Sequence, residues 1–204
     1  PGDITATLDW DGLHLLVGDG GDSITLANWF QLPEQRIGRV EFADGTAWDG
    51  ATLDALAART TGTDADDVLL GSSGNDAMSG LGGADQIYGG AGNDVLNGGA
   101  GEDNLEGGPG NDIYLFNRGN EADWIYDQGL ASDVDVLRFG PDISPADIMV
   151  SRDEWSLYLT VRGTQDVAVL DSWFSGPEGR IERVEFADGT VWEADSLEGR
   201  LYAS

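Results

Sequence analysis

A run of nine-residue units, contiguous and in register over residues 62–115, constrains the fold of this chain more than any other feature. The unit GGAGNDVLN at 89–97 shows the pattern most fully. Each of the six units has glycine at its first position, aspartate at its sixth and an apolar residue at its eighth. The aspartates are Asp67, Asp76, Asp85, Asp94, Asp103 and Asp112. Because short repeats of this kind bury a core only by stacking, we expect a solenoid.

Each unit is typical of one tight turn followed by one short strand. Glycine adopts positive φ without penalty, so the glycine-rich first half favours a turn with exposed carbonyl groups. The last three residues suffice for a strand in which the eighth position points inward and its neighbours point outward. Two units then form one coil of a flattened roll, and coils stack at about 4.8 Å. The predicted fold class is all-β: a parallel β-roll flanked by small β-rich capping domains.

The charge balance indicates that the partner is a cation. The chain carries 38 acidic and 10 basic residues, a net charge of −28, and it has no cysteine. Nucleic-acid binding requires basic patches, so this class of partner is excluded. Carboxylate and carbonyl oxygens suit Ca²⁺, and thiolate metal sites are excluded. No apolar run reaches the roughly 20 residues of a transmembrane helix, and no signal peptide is visible.

The stacked coils predict where the cation binds. At the strand spacing, aspartates of two neighbouring turns on one edge can reach the same ion, and carbonyl oxygens complete a shell of about six to eight ligands. Without the ion, rows of carboxylates face each other, and each coil has only two inward apolar residues to offset chain entropy. We therefore expect this region to be unfolded without Ca²⁺ and ordered with it. The six turns give about four internal sites, with more at the ends.

The units resemble the calcium-binding nonapeptide GGxGxDxUx of RTX (repeat-in-toxin) proteins, a haemolysin-type repeat. The resemblance implies a β-roll, export through a bacterial type I secretion apparatus, an extracellular location and folding on export. The ligands that it implies are the six aspartates and backbone carbonyls near Gly74, Gly83, Gly92, Gly101 and Gly110. The first unit departs from the pattern, because Thr63 and Ala65 replace glycines, and Asp64 is a candidate additional ligand there.

The segments on either side of the repeat are copies of each other. Residues 3–48 align with 147–192 at a constant offset, with about half of the positions identical, and both copies contain RVEFADGT. They resemble the haemolysin-type calcium-binding-protein-related domain. Asp-Gly pairs between short β-prone runs favour hairpins in both copies. The expected domains are residues 1–60, 61–115 and 116–204, and we expect the first flank to close an earlier unit of a longer protein.

Two weaker echoes of the unit follow the repeat. They are GNEADWIY, which contains Asp123, and ASDVDVL, which contains Asp135. Terminal repeats are usually atypical, so we interpret both segments as coils that end the roll. Asp123 and Asp135 are therefore candidate ligands that close the last site.

Other interpretations of these features have weaker support. A flexible Gly-Asp linker requires no fixed aspartate and no fixed apolar position. For catalysis, the chain offers a single histidine, His14, and no HExxH or GxSxG motif. We therefore predict that it is not an enzyme.

Two hypotheses of function remain open. The first is a calcium-binding module that folds after type I secretion and belongs to a larger secreted bacterial toxin, exoenzyme or adhesin. The second is an adhesin or carbohydrate-binding segment with the β-roll as spacer and a glycan or cell surface as partner. Tryptophans that recur in both flanks are predicted core residues, namely Trp29, Trp48, Trp173 and Trp192. Those without such an equivalent are surface candidates, namely Trp10, Trp124 and Trp155.

Overall fold

The structure is a computed structural model of the chain. It describes residues 4–9, 12–17, 22–27, 39–43, 45–49, 52, 60–130, 132–176 and 179–201. The chain divides into two compact units, Pro1–Ala58 and Arg59–Ser204. Among the described residues, no helix is both long enough and apolar enough to cross a membrane.

The first unit contains five described strands in two antiparallel groups. The strands are β1 (Ile4–Asp9), β2 (Gly12–Val17), β3 (Asp22–Ala27), β4 (Arg39–Glu41) and β5 (Ala47–Asp49). β1, β2 and β3 form a sheet in chain order, and β4 pairs with β5. The predicted hairpin is confirmed: Gly45 in its turn has a φ of 86°, and Phe42 packs edge-on against Trp48 with ring centroids 4.7 Å apart. Trp10 and Trp29 lie outside the described residues.

The second unit contains thirteen described strands. They are β6 (Val68–Leu70), β7 (Ala77–Gly82), β8 (Gln86–Tyr88), β9 (Val95–Ala100), β10 (Asn104–Glu106), β11 (Ile113–Phe116), β12 (Ala122–Ile125), β13 (Val136–Phe139), β14 (Ile148–Arg152), β15 (Leu157–Val161), β16 (Val167–Leu170), β17 (Arg183–Glu185) and β18 (Val191–Glu193). The described helical segments are one-turn pieces at Pro145–Asp147, Ala194–Leu197 and Glu198–Arg200.

Consecutive strands of the repeat alternate between two sheets. β6, β8, β10 and β12 are parallel neighbours in one sheet, and β7, β9, β11 and β13 are parallel neighbours in the other. Pairing partners within the repeat are 18 residues apart, as in Val68 with Gln86 and Ala77 with Val95. One coil therefore consists of two nine-residue units, and the predicted parallel β-roll is confirmed.

The core of the roll consists of the side chains at the eighth position of each unit. All six are buried: Leu69, Met78, Ile87, Leu96, Leu105 and Tyr114. Residues on either side of them are more exposed, with Leu70 as an exception at 3% exposure. The side-chain alternation of a three-residue strand is thus sufficient to place the core.

The C-terminal flank continues both sheets of the roll. β16 pairs in parallel with β12, and β17 pairs in parallel with β13. Antiparallel strands then end each sheet: β15 and β14 beyond β16, and β18 beyond β17. The division into three domains stays a prediction, because the roll and this flank share both sheets within one compact unit.

The flank adds large apolar side chains to the core of the roll. Trp173 and Trp192 are buried, as predicted for tryptophans that recur in both flanks. Phe186 stacks on Phe139, the last core residue of β13, with ring centroids 5.2 Å apart. The hydrophobic core is therefore continuous from the repeat into the flank.

Candidate metal centre

The turns of the roll stack closely because glycine occupies the positions at which backbones meet. In the fourth unit, Gly90 and Gly92 have φ of 103° and 121°, a region that side chains other than glycine rarely adopt. A Cβ on Gly92 would lie 2.7 Å from the backbone of Gly74 in the turn before. The glycine-rich half of each unit therefore forms a tight turn directly against its neighbour.

The aspartate at the sixth position joins each turn to the one before it. Its Oδ1 accepts the backbone N–H of the aspartate 18 residues earlier. The distances are 2.8 Å from Asp76 N to Asp94 and 2.9 Å from Asp85 N to Asp103. Stacking through these bonds and the strand pairs gives two rows of carboxylates, one on each edge of the roll. The rows are Asp67, Asp85, Asp103 and Asp123, and Asp76, Asp94, Asp112 and Asp135.

The second oxygen of the inner aspartates is buried without a hydrogen bond. Oδ2 of Asp85, Asp94, Asp103 and Asp112 has no partner among the described residues, and neither has Oδ1 of Asp123. All five residues are 0% exposed. A buried charged oxygen without a partner is strongly unfavourable, so each of these atoms requires a cation or a proton.

Burial raises the pKa of these carboxyl groups, because the charged form is unfavourable in the interior unless a cation is close. Burial raises the pKa of Asp85 to about 6 and that of Asp112 to about 7 from the ordinary value of 3.8. Burial likewise raises the pKa of Asp123 to about 8. Neighbouring carboxylates add to each shift, as Asp103 does for Asp85.

These donors fit calcium. Ca²⁺ takes six to eight oxygen ligands from carboxylates and backbone carbonyls, and the rows present buried carboxylate oxygens beside turns rich in backbone groups. The five unpartnered oxygens belong to Asp85, Asp94, Asp103, Asp112 and Asp123, and the role of these residues as ligands stays a prediction. The carbonyls near Gly74, Gly83, Gly92, Gly101 and Gly110 stay predicted ligands.

Comparison with known families agrees with this chemistry. The model of the RTX calcium-binding nonapeptide repeat matches residues 61–96 and 88–120. The model of the haemolysin-type calcium binding protein related domain matches residues 13–52 and 157–196. Together the two models cover more than half of the chain.

The chain belongs to the RTX calcium-binding repeat family. Its cofactor is calcium, bound as several ions by the repeats. Among solved structures, the chain is similar to the AlgE6R3 subunit of the Azotobacter vinelandii mannuronan C5-epimerase. The identity is 35%, the match covers 54% of this chain and 72% of that one, and the TM-score is 0.42. The comparison with curated proteins found no match.

The first turn on each edge of the RTX roll differs from the others. Thr63 and Ser72 stand at the second position, where later units have mostly glycine. The Oδ2 of Asp67 accepts hydrogen bonds from both the N–H and the hydroxyl of Thr63, at 2.7 and 2.8 Å. Ser72 donates to Asp76 in the same way, at 2.6 and 2.9 Å. These two predicted ligands therefore have protein donors on the oxygen that is unpartnered elsewhere.

The other predicted ligands fall into two groups. Asp64 is exposed, and the nearby carboxylate that contacts the next turn is that of Asp66, which accepts the N–H of Ala84 at 2.8 Å. Asp123 and Asp135 are buried and lie in register with Asp103 and Asp112. The two degenerate segments thus form a further coil of the roll, although their role as ligands stays a prediction.

One buried carboxylate of this centre has no counterpart in the sequence-based prediction. Asp127 is 2% exposed, and one of its oxygens lies within 4.8 Å of oxygens of Asp112 and Asp135. The residue lies outside the nine-residue pattern, so periodicity does not indicate it. The available signal was a carboxylate two residues after the end of β12 and two residues before Gly129.

Proposed function

We propose that the chain is a calcium-driven folding module of an exported bacterial protein. In this proposal the chain leaves the cell unfolded through a type I secretion apparatus and folds outside, where Ca²⁺ is plentiful. The observation that carries the proposal is the pair of buried carboxylate rows with one unpartnered oxygen per inner turn. A module whose interior requires cations cannot fold stably where they are scarce.

The small core of the coils supports dependence on the ion. Each coil of eighteen residues buries two side chains at the eighth positions, such as Ile87 and Leu96. Ordering that much chain is costly in conformational entropy, and the buried carboxylates add to the cost. Bound calcium neutralises the rows and bridges neighbouring turns, so its binding free energy stabilises the fold.

We further propose that the C-terminal flank caps the roll and nucleates its folding. It holds bulky buried residues such as Trp173 and Phe186, and β16 and β17 present paired edges to β12 and β13. Calcium-dependent coils can then add to an edge that is already ordered. An unchanged calcium response after deletion of residues 116–204 would contradict nucleation.

The experiment that tests the main proposal is a calcium titration followed by far-UV circular dichroism, with Mg²⁺ as control. A cooperative gain of β signal with Ca²⁺ alone, reversed by a chelator, is the expected result. A spectrum that is already folded in chelator and does not change with Ca²⁺ would contradict the folding switch. The repeat would then be a static scaffold.

A second candidate function, glycan binding by an adhesin segment, has one specific observation in its favour. A groove of about 440 Å³ lies on the outer face of the sheet that contains β8, β10 and β12. Its lining includes the aromatic residues Tyr88, Trp124 and Tyr126 together with Glu106 and Asn104. Trp124 is 41% exposed. Aromatic faces beside hydrogen-bonding groups suit the apolar faces and hydroxyls of a sugar ring.

A glycan array probed in the presence of Ca²⁺ tests this candidate. The proposal expects binding that Trp124→Ala removes and that Trp155→Ala retains, since Trp155 is 59% exposed but does not line the groove. An absence of binding across a broad panel would count against it. We propose no catalytic role for either candidate.

A further inference from the structure

Three buried carboxylates meet at the C-terminal end of the roll, beyond the nine-residue pattern. Oxygens of Asp112, Asp127 and Asp135 lie within 4.8 Å of one another. The residues are 0%, 2% and 2% exposed, respectively. Only Asp112 belongs to one of the six units, and the match to the repeat family ends at residue 120. The cluster is therefore not one of the regular turn sites.

Asp127 takes the place of a glycine in the stacked turns. It is the second residue after Ile125, which pairs with Leu105, just as Gly107 is the second residue after Leu105. A Cβ on Gly107 would collide with Oδ2 of Asp112. Asp135 follows the aspartate on which it stacks, Asp112, by 23 residues, whereas Asp112 follows Asp94 by 18. The longer turn makes room for a carboxylate where the repeats require glycine.

The contacts of the three side chains leave one buried oxygen without a donor. Asp127 accepts the Tyr114 hydroxyl at 2.9 Å on Oδ1 and the Gly129 N–H at 2.7 Å on Oδ2. Asp135 Oδ1 accepts the N–H of Asp112 at 2.8 Å. Oδ1 of Asp112 accepts the N–H of Asp94 in the preceding turn at 2.7 Å. Oδ2 of Asp112 is buried with no partner among the described residues.

Among the described residues, no ion pair joins a basic side chain to the three aspartates of the cluster. The ion pairs found among the described residues involve Arg39, Arg118, Arg138 and Arg183, and none of them reaches these three aspartates. Three carboxylates buried together without a counter-charge are strongly unfavourable. Hard oxygen donors suit Ca²⁺, which accepts variable coordination geometry, whereas Mg²⁺ demands near-ideal octahedral geometry.

We propose that Asp112, Asp127 and Asp135 form a separate calcium site that closes one edge of the roll and connects it to the C-terminal flank. The connection runs through Asp135, whose N–H donates to Oε2 of Glu182 at 2.9 Å. Glu182 directly precedes β17, the strand through which the flank joins this sheet. An ion held by the three aspartates thus fixes the last coil against the flank. The inference rests on the proposed function for the identity of the cation.

The test counts the calcium ions bound by the full chain, using equilibrium dialysis and isothermal titration with CaCl₂. Asp127→Asn is expected to bind one Ca²⁺ fewer per chain than the unmodified protein. The matched control is Asp142→Asn, at an exposed turn position, which is expected to bind the full number. Equal numbers for Asp127→Asn and the unmodified chain would overturn the site.

A second variant and the folding signal keep the outcomes distinguishable. Asp127→Gly restores the residue of the regular turns and is also expected to lose one ion; retention of that ion overturns the site even if Asp127→Asn fails to fold. If the unmodified chain folds only with Ca²⁺ but Asp127→Gly binds the full number, the site is wrong and the proposed function stands. If the chain is folded without Ca²⁺ yet loses one ion in both variants, the site stands and the folding switch is wrong.

Discussion

The first turn on each edge and the inner turns of the roll carry the same aspartate in different surroundings. In the first turns, Oδ2 of Asp67 and Asp76 accepts two hydrogen bonds each from Thr63 and Ser72. In the inner turns, the same oxygen of Asp94 and Asp103 is buried and has no partner among the described residues. The first turns have a hydroxyl side chain at the second position of the unit, whereas the turns of Asp94 and Asp103 have glycine there.

This difference explains how the roll can end without a further coil. A hydroxyl and an N–H on the outermost carboxylate take the place that a cation must take further in, so the terminal turn is satisfied by the chain itself. Terminal repeats of solenoids commonly have a polar outer face for the same reason. In the inner turns no such donor reaches that oxygen among the described residues, and we propose that calcium takes its place.

The largest effect is expected when one inner carboxylate in each row loses its charge. Asn at positions 94 and 103 keeps an acceptor for the N–H of Asp76 and Asp85 but removes the charged, unpartnered oxygen. The double variant Asp94→Asn/Asp103→Asn should show no calcium-induced β signal at millimolar Ca²⁺. The control Asp67→Asn/Asp76→Asn should shift the calcium midpoint by less than about ten-fold. If the two double variants gave the same calcium-induced β signal, the inner turns would not differ from the first turns in their need for calcium.

The second prediction uses pH to remove charge from the inner turns. Folding raises the pKa of Asp85 to about 6, of Asp112 to about 7 and of Asp123 to about 8, from 3.8. Between these values the folded, calcium-free chain binds more protons than the unfolded chain. Its free energy of unfolding therefore falls as pH rises from about 4 to about 8.

Calcium displaces those protons only from a chain that is already folded, because the aspartates of an unfolded chain have their ordinary pKa near 3.8 and are ionised above pH 6. Since we propose that the calcium-free chain is unfolded, the calcium midpoint measured by circular dichroism should change by less than about two-fold from pH 6 to pH 8. In chelator, by contrast, any residual β signal should be greater at pH 5 than at pH 8. A midpoint that falls about ten-fold or more over pH 6–8 would show that calcium binds a chain that is already folded and protonated, which would contradict the folding switch.

The third prediction concerns the hydroxyl that satisfies the first turn of the second row. Ser72→Ala removes the donor to Asp76 and the acceptor for the N–H of Gly74, at 2.9 and 3.1 Å. It should lower the free energy of unfolding of the calcium-loaded protein by about 1 kcal/mol. Ser73→Ala, at an exposed neighbouring position, is the control and should have no measurable effect in urea denaturation. An equal loss of stability in both variants would show that the hydrogen bonds of the Ser72 hydroxyl do not stabilise this turn.

The regular part of this arrangement could be predicted from the sequence because its causes are local. A fixed glycine, aspartate and apolar residue in every nine positions determine one turn, one edge carboxylate and one core side chain. The bounds of β8 around Ile87 follow from that pattern, whereas β9 around Leu96 continues through Ala100 into the glycines of the next unit. The hairpins of the flanks follow from Asp-Gly pairs in the same way.

The rest could not be predicted because its causes are non-local or lie outside the pattern. β12 pairs with β16 across more than 40 residues of chain, and no periodicity connects the two strands. Asp127 stands in a longer turn that breaks the spacing, and Glu182 reaches Asp135 only after the flank has folded back. The hydroxyl donors of Thr63 and Ser72 had a signal, namely Thr or Ser four residues before the aspartate, but the loss of glycine indicated only that the first unit departs from the pattern.

The smallest predicted effect comes from the second position of the third unit, where neither glycine nor a hydroxyl is present. Leu81 has a φ of 78°, close to the 103° and 106° of Gly90 and Gly99 in the following turns, and its side chain is 48% exposed. A leucine in this region is strained by about 1–2 kcal/mol, whereas an exposed side chain contributes little burial. Leu81→Gly should therefore stabilise the calcium-loaded protein by about 0.5–1 kcal/mol after the greater chain entropy of glycine is subtracted. Leu81→Ala retains the Cβ and should give no such gain. If thermal denaturation showed the alanine variant to be as stable as the glycine variant, backbone strain would not be what separates this turn from its neighbours.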